Sequence, residues 1–164
     1  MKQTRRTFVK TSALLGASSF LPLDLVDAQN APSGDSETPR FAVAGPVWAR
    51  GREREMNVTL LFSADVSLDD SAELSGAIFR ATGSSIMRVT INGEYACYGP
   101  ARGPRGWFRV DERDVGRFLR RGLNTIRVEI AGYNSVSYYL LDQPAFLQAE
   151  LVDGSGKVLA ATGA

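Results

Sequence analysis

The chain has 164 residues, with 19 Lys and Arg against 18 Asp and Glu, no histidine and a single cysteine. Without histidine there is no Ser-His-Asp or Cys-His arrangement, and one cysteine alone leaves no ligand set for zinc. No intramolecular disulfide can form, so the fold rests on its core. A charge balance this close to zero argues against a nucleic-acid partner, which calls for a clearly basic surface.

Taken in chain order, residues 1–28 read as an address rather than as part of the fold. Lys2, Arg5 and Arg6 open the chain, and Thr4-Arg5-Arg6-Thr7-Phe8-Val9-Lys10 has the form of a twin-arginine export motif. The apolar run from Ala13 to Leu23 is interrupted by Gly16 and serines. It is shorter than the roughly 20 apolar residues that span a bilayer, so no stable membrane span is expected. Val26-Asp27-Ala28 supplies small residues for a signal peptidase, which places cleavage before Gln29. The expected location is exported, periplasmic or extracellular. The leader holds four basic residues (Lys2, Arg5, Arg6, Lys10) and two acidic ones (Asp24, Asp27), so residues 29–164 keep 15 basic against 16 acidic.

Residues 29–40 (QNAPSGDSETPR) have the composition of a flexible linker. From Phe41 to Ala164 the pattern is one of short apolar runs between turn residues. Strands are predicted at Met56–Val66, Leu74–Ala81, Ile86–Ile91, Glu94–Tyr98, Trp107–Val110, Thr125–Ala131, Phe146–Val152 and Lys157–Ala161. Asn92-Gly93 between two of them is a hairpin signal, because both turn positions need positive φ. Asp111–Leu119 reads as one amphipathic turn capped by Asp111. Thr125–Ala131 alternates most cleanly, with Ile126, Val128 and Ile130 on one side and Arg127 and Glu129 on the other. About eight short strands with no long helix predict an all-β domain, a β-sandwich or jelly roll.

The order of these elements resembles a known family. Ile91-Asn92-Gly93-Glu94, the loop Tyr98-Gly-Pro-Ala-Arg-Gly-Pro-Arg-Gly-Trp107, the segment Leu119…Gly122-x-Asn124-x-Ile126-x-Val128, and then Gly132-Tyr133-Asn134 and Leu140-Leu141-Asp142-Gln143-Pro144 carry the likeness. Together they resemble the amino-terminal accessory domain, a galactose-binding-like jelly roll, of bacterial α-L-rhamnosidase-like glycoside hydrolases. The likeness runs from about Ala42 to the end. It implies that hydrolysis belongs to a following helical-barrel domain, to which nothing in this sequence corresponds. The expectation is therefore a fragment of such a hydrolase or an accessory domain acting on its own. Much of the shared skeleton is architectural, since Asn92-Gly93, Gly122 and Asn124 are turn residues by their own chemistry.

Glycoside hydrolysis needs two carboxyls flanking the bond. Asp69-Asp70, Asp111-Glu112-Asp114, Asp142 and Glu150 offer carboxyls, but adjacent acids at turns more often serve as solvated caps, and no catalytic residue is assigned. No cofactor is expected, and a structural calcium ion on oxygen ligands stays open. The Gly99–Gly106 loop lacks the Lys-Ser/Thr ending of a phosphate cradle. The seven arginines from Arg102 to Arg121, interspersed with Asp111, Glu112 and Asp114, read as a solvated mixed face.

Sugar recognition needs an aromatic face for C–H groups and fixed polar groups for hydroxyls. Trp107, Tyr133, Tyr138 and Tyr139 supply the first, and Arg102, Arg105, Asn134, Asp142 and Gln143 the second. They sit in two loops, Gly99–Trp107 and Gly132–Gln143. The partner is either a carbohydrate, by the resemblance a rhamnose-containing glycan, or a catalytic glycosidase domain on which these loops dock.

Overall fold

The computed structural model describes residues 6–10 and 41–163. The expected cleavage site and the 29–40 linker lie outside the described residues, as does the leader apart from Arg6–Lys10.

Two antiparallel sheets face each other. One has the strand order β1-β6-β3-β8-β9 and the other β2-β7-β4-β5. In chain order the strands are β1 (Arg6–Lys10), β2 (Val58–Leu68), β3 (Ile78–Ser84), β4 (Ile86–Ile91), β5 (Glu94–Gly99), β6 (Trp107–Asp114), β7 (Gly122–Gly132), β8 (Phe146–Val152) and β9 (Val158–Ala161). The arrangement is the jelly-roll-type β-sandwich that the spacing predicted. No helix among the described residues is long and apolar enough to cross a membrane.

Alternation builds the core. Along β7, Ile126, Val128 and Ile130 turn inward and meet Met87, Val89 and Ile91 of the neighbouring β4. From the opposite sheet come Phe79 and Ala81 of β3 and Leu147, Ala149 and Leu151 of β8. Burying one such aliphatic side chain contributes roughly 1.5–3 kcal/mol.

Turn chemistry sets the registers. Asn92 (φ 54°) and Gly93 (φ 85°) close the β4–β5 hairpin in the left-handed conformations predicted for them. Asn92 Nδ2 donates to Phe118 O and to Asn124 Oδ1, both at 2.9 Å, and Asn92 Oδ1 accepts from Thr125 N–H. The fully buried Asn124 also accepts from Arg120 N–H and donates to the carbonyls of Arg120 and Gly122. This network ties the β4–β5 turn to the start of β7.

Several segments differ from the sequence expectation, among them β7, which starts at Gly122 and not at Thr125. β2 starts at Val58 because Asn57 (φ 59°) breaks the extended chain before it. β3 starts at Ile78, after a turn in which Ala77 N–H donates to Leu74 O and Gly76 has φ 76°. Asp111 does not cap a turn: β6 continues through it to Asp114, and Asp114 Oδ1 instead accepts from Gly116 N–H at 3.1 Å. Arg6–Lys10, read from sequence as leader, runs antiparallel to β6 with Arg6 opposite Asp111 and Lys10 opposite Trp107. A free strand edge presents unpaired backbone groups to any extended segment that can reach it.

Candidate functional site

Three connections cross between the sheets at one end of the sandwich. Ser84–Ser85 joins β3 to β4, residues 100–106 join β5 to β6, and residues 133–145 join β7 to β8. The registers force them together, because Ser84 pairs with Phe146, Ile86 with Ala131 and Met87 with Gly99. The peptide bonds Ser84–Ser85 and Gly99–Pro100 are cis.

Between these crossings lies a cleft of two adjoining recesses, of about 260 and 490 Å³. They share Ser85, Pro100, Arg102, Arg109 and Tyr139. The smaller adds Arg105, Trp107, Tyr138 and Gln143. The larger adds Tyr98, Asp111, Arg113 and Tyr133. Arg102 stacks over the Tyr139 ring at 5.0 Å and donates to Tyr139 O at 3.2 Å, joining the two long loops. Tyr138 and Tyr139 meet edge to face at 5.0 Å. Ser137 Oγ shapes their loop by accepting from the N–H groups of Tyr139 and Leu140. Gln143 Nε2 donates to Ser84 Oγ at 3.3 Å.

Seven of the nine sequence candidates therefore line one cleft: Arg102, Arg105, Trp107, Tyr133, Tyr138, Tyr139 and Gln143. Asp142 lies in a neighbouring recess of about 530 Å³, beside Trp48 and Phe146, which also takes in Arg105 and Gln143. Asn134 is tied into the fold through its amide nitrogen, while its buried Oδ1 has no hydrogen-bond partner among the described residues. It is buried at φ 45°, and its Nδ2 donates to the carbonyls of Glu53 and Glu55, both at 2.8 Å, pinning the 133–145 loop to the segment before β2.

Sequence reasoning missed Arg109, Asp111 and Arg113. Rather than forming a solvated face, they lie on the inward side of β6, since Asp111 is opposite Ala81 and Arg113 opposite Phe79, both core residues. Arg109 and Asp111 are buried. Arg109 Nε and Asp111 Oδ1 stand 3.0 Å apart, out of line for a hydrogen bond, and neither has a hydrogen-bond partner among the described residues. Gly99 of β5 permits this approach, because a Cβ there would overlap Asp111 Oδ2. The signal in the sequence was charge at every second position, Arg109, Asp111 and Arg113, with Val110 between the first two.

Cys97, in β5 beside this group, is free and buried, as a small core residue on a strand. Burial pushes its thiol up to about 11, Arg113 lowering and Asp111 raising it. The other carboxylates are held elsewhere. Glu112 and Glu150 both pair with Arg80 at 2.6 Å, on the opposite face of the sheet from Asp111. Asp69 is held below the usual carboxylate range by hydrogen bonds from Ser71. Among the described residues, no group of three or more Cys, Asp or Glu is placed to hold a metal ion.

No family model matches the chain, and no curated protein matches it. Solved structures do. A GH78 family rhamnosidase of Bacillus sp. GL1 is 31% identical over 77% of this chain, with a TM-score of 0.69. An alpha-L-rhamnosidase from Dictyoglumus thermophilum is 18% identical over 63% of this chain, with a TM-score of 0.46. The match takes up 13% of the length of the first and 12% of the second. At the scale of one jelly-roll domain, then, this chain is similar to part of a GH78 family rhamnosidase.

Proposed function

We propose that this chain is a non-catalytic, carbohydrate-binding accessory domain of an exported α-L-rhamnosidase-like glycoside hydrolase. The observation that carries the reading is the meeting of the 99–107 and 132–143 loops around one cleft, with aromatic and hydrogen-bonding side chains interleaved. Pyranose rings have an apolar C–H face that packs on Tyr or Trp, and hydroxyls that need fixed donors and acceptors. Tyr98, Tyr139 and Trp107 expose ring surface at the cleft, and Arg102 and Gln143 are held by hydrogen bonds of their own. A location outside the cytoplasm follows from the leader motif alone.

The test is titration of the purified chain with rhamnose-containing oligosaccharides, following Trp fluorescence. Saturable change at millimolar sugar, weakened by Trp107→Ala and Tyr139→Ala, is the expected result. A second reading has one observation in its favour. Val136 is 80% exposed and Tyr138 91%, leaving an apolar loop tip without cover. Such a tip suits docking onto a catalytic glycosidase domain. No sugar response, together with self-association relieved by Tyr138→Ser, would select docking.

A further inference from the structure

We propose that the cleft selects a carboxylated saccharide, a glycan residue of uronate type, and that Arg109 and Arg113 read its carboxylate. The inference rests on the carbohydrate-binding reading above and names the ligand class.

Charge is the first ground. The two recesses together take in Arg102, Arg105, Arg109 and Arg113 but only one carboxylate, Asp111. The whole chain carries a formal net charge of just +1. The positive excess is therefore local to the cleft.

Unmet hydrogen bonding is the second. Arg109 and Asp111, their side chains 10% and 7% exposed, form an ion pair at 3.0 Å, yet Arg109 Nε and Asp111 Oδ1 have no hydrogen-bond partner among the described residues. Buried polar atoms are nearly always satisfied, because leaving one unmet costs about 1–3 kcal/mol. Inward-pointing charge on a strand near a sheet edge also discourages pairing with other chains. That role needs one charge, however, and explains neither the loop arginines nor the orphaned atoms. A carboxylate matches the guanidinium fork in its planar, two-point geometry.

The third ground is the match of both signs. An inorganic sulfate brings acceptors only and offers no donor to the Asp111 carboxylate that lines the recess. A uronate carries a carboxylate for the arginines and hydroxyl donors for the Asp111 carboxylate that line the same recess. Tyr98, 65% exposed, and Tyr139, 63% exposed, border the same recess and offer faces for the ring carbons. At about 490 Å³ the larger recess falls in the range of small-ligand sites, roughly 300–1,000 Å³.

The experiment is calorimetric titration of the purified chain with a rhamnose-containing oligosaccharide bearing a uronate. The same oligosaccharide with its carboxyl reduced to the alcohol, a sulfated oligosaccharide and an acidic peptide are titrated in parallel. The uronate form is expected to bind at least about tenfold more tightly than the reduced form, the worth of one charge-assisted contact. That preference shrinks as salt is raised. Arg113→Gln and Arg109→Gln remove it, whereas Arg127→Gln, on the outer face of the β2–β7 pair, leaves it unchanged. Should Arg109→Gln fail to fold, the half-buried Arg113 carries the test alone, with circular dichroism as the check on folding. Equal binding of the uronate and reduced forms, or tighter binding of the sulfated one, overturns this inference and leaves the carbohydrate reading standing. Binding of neither sugar form by the folded protein, or of the acidic peptide alone, overturns both.

Discussion

Strand β6 carries charge on both faces, and the two faces treat it differently. On the outward side, Glu112 and Glu150 share Arg80 at 2.6 Å, and Glu150, only 1% exposed, also accepts from the N–H groups of Ala42, Val43 and Ala44. On the inward side, Arg109 and Asp111 are nearly as buried and face each other at 3.0 Å, but one atom of each stays unmet. The outward cluster is a closed network that clips the segment entering the sandwich onto the sheet. The inward pair borders a cleft and leaves hydrogen-bonding capacity unused. Burial alone does not separate structure from recognition here; unmet hydrogen bonding at the border of a cleft does, since the scaffold residue Asn134 also has an unmet Oδ1 but lines neither recess.

The sharpest way to break the comparison is on the outward side. Glu150→Ala removes the acceptor for Arg80 and for three backbone amides at once. It should cost about 3–5 kcal/mol in urea denaturation, the usual penalty for stranding half of a buried ion pair. A cost under about 1 kcal/mol would mean that the outward network is no more structural than the inward pair. The matching change inside is Arg109→Met with Asp111→Leu. Removing both partners should be neutral or stabilising by up to about 4 kcal/mol, while abolishing preference for the acidic sugar. A large loss of stability would return this pair to the scaffold.

A smaller effect sharpens the geometry. With its thiol raised to about 11 by burial, Cys97 should react with a disulfide reagent at pH 8 at least about tenfold more slowly than an ordinary thiol. Asp111→Asn should lower that pKa and speed the reaction, and Arg113→Gln should do the reverse. The sign for stability follows from the raised value. What the neutral thiol contributes is intact below its ordinary pKa of 9.0 and is lost as pH rises toward 11.

The parts of this architecture legible in sequence are those decided locally. Asn92-Gly93 specifies its hairpin because few other residues tolerate two successive positive φ values. Ile126, Val128 and Ile130 announce a buried face by period alone. The candidate cleft was legible in its loops, seven of whose nine marked residues line it. Asn134 and Asp111 show the limit. Asn134 has the composition of a sugar ligand but is spent on the carbonyls of Glu53 and Glu55, about 80 residues away in the chain. Asp111 among arginines has the pattern of solvated charge, and only the approach of Gly99 from the other sheet shows it to be enclosed.

By itself, then, the sequence determined an all-β chain, roughly where eight of its strands lie, and which residues share a side of the cleanest of them. A period of two sorts side chains into two faces, and turn residues impose their own φ. Only the tertiary structure decided which face of β6 is covered, and that three crossings meet at one end. Those outcomes depend on pairings between strands far apart in the chain. Such pairings made Arg109 and Asp111 part of an interior and left them there without full partners.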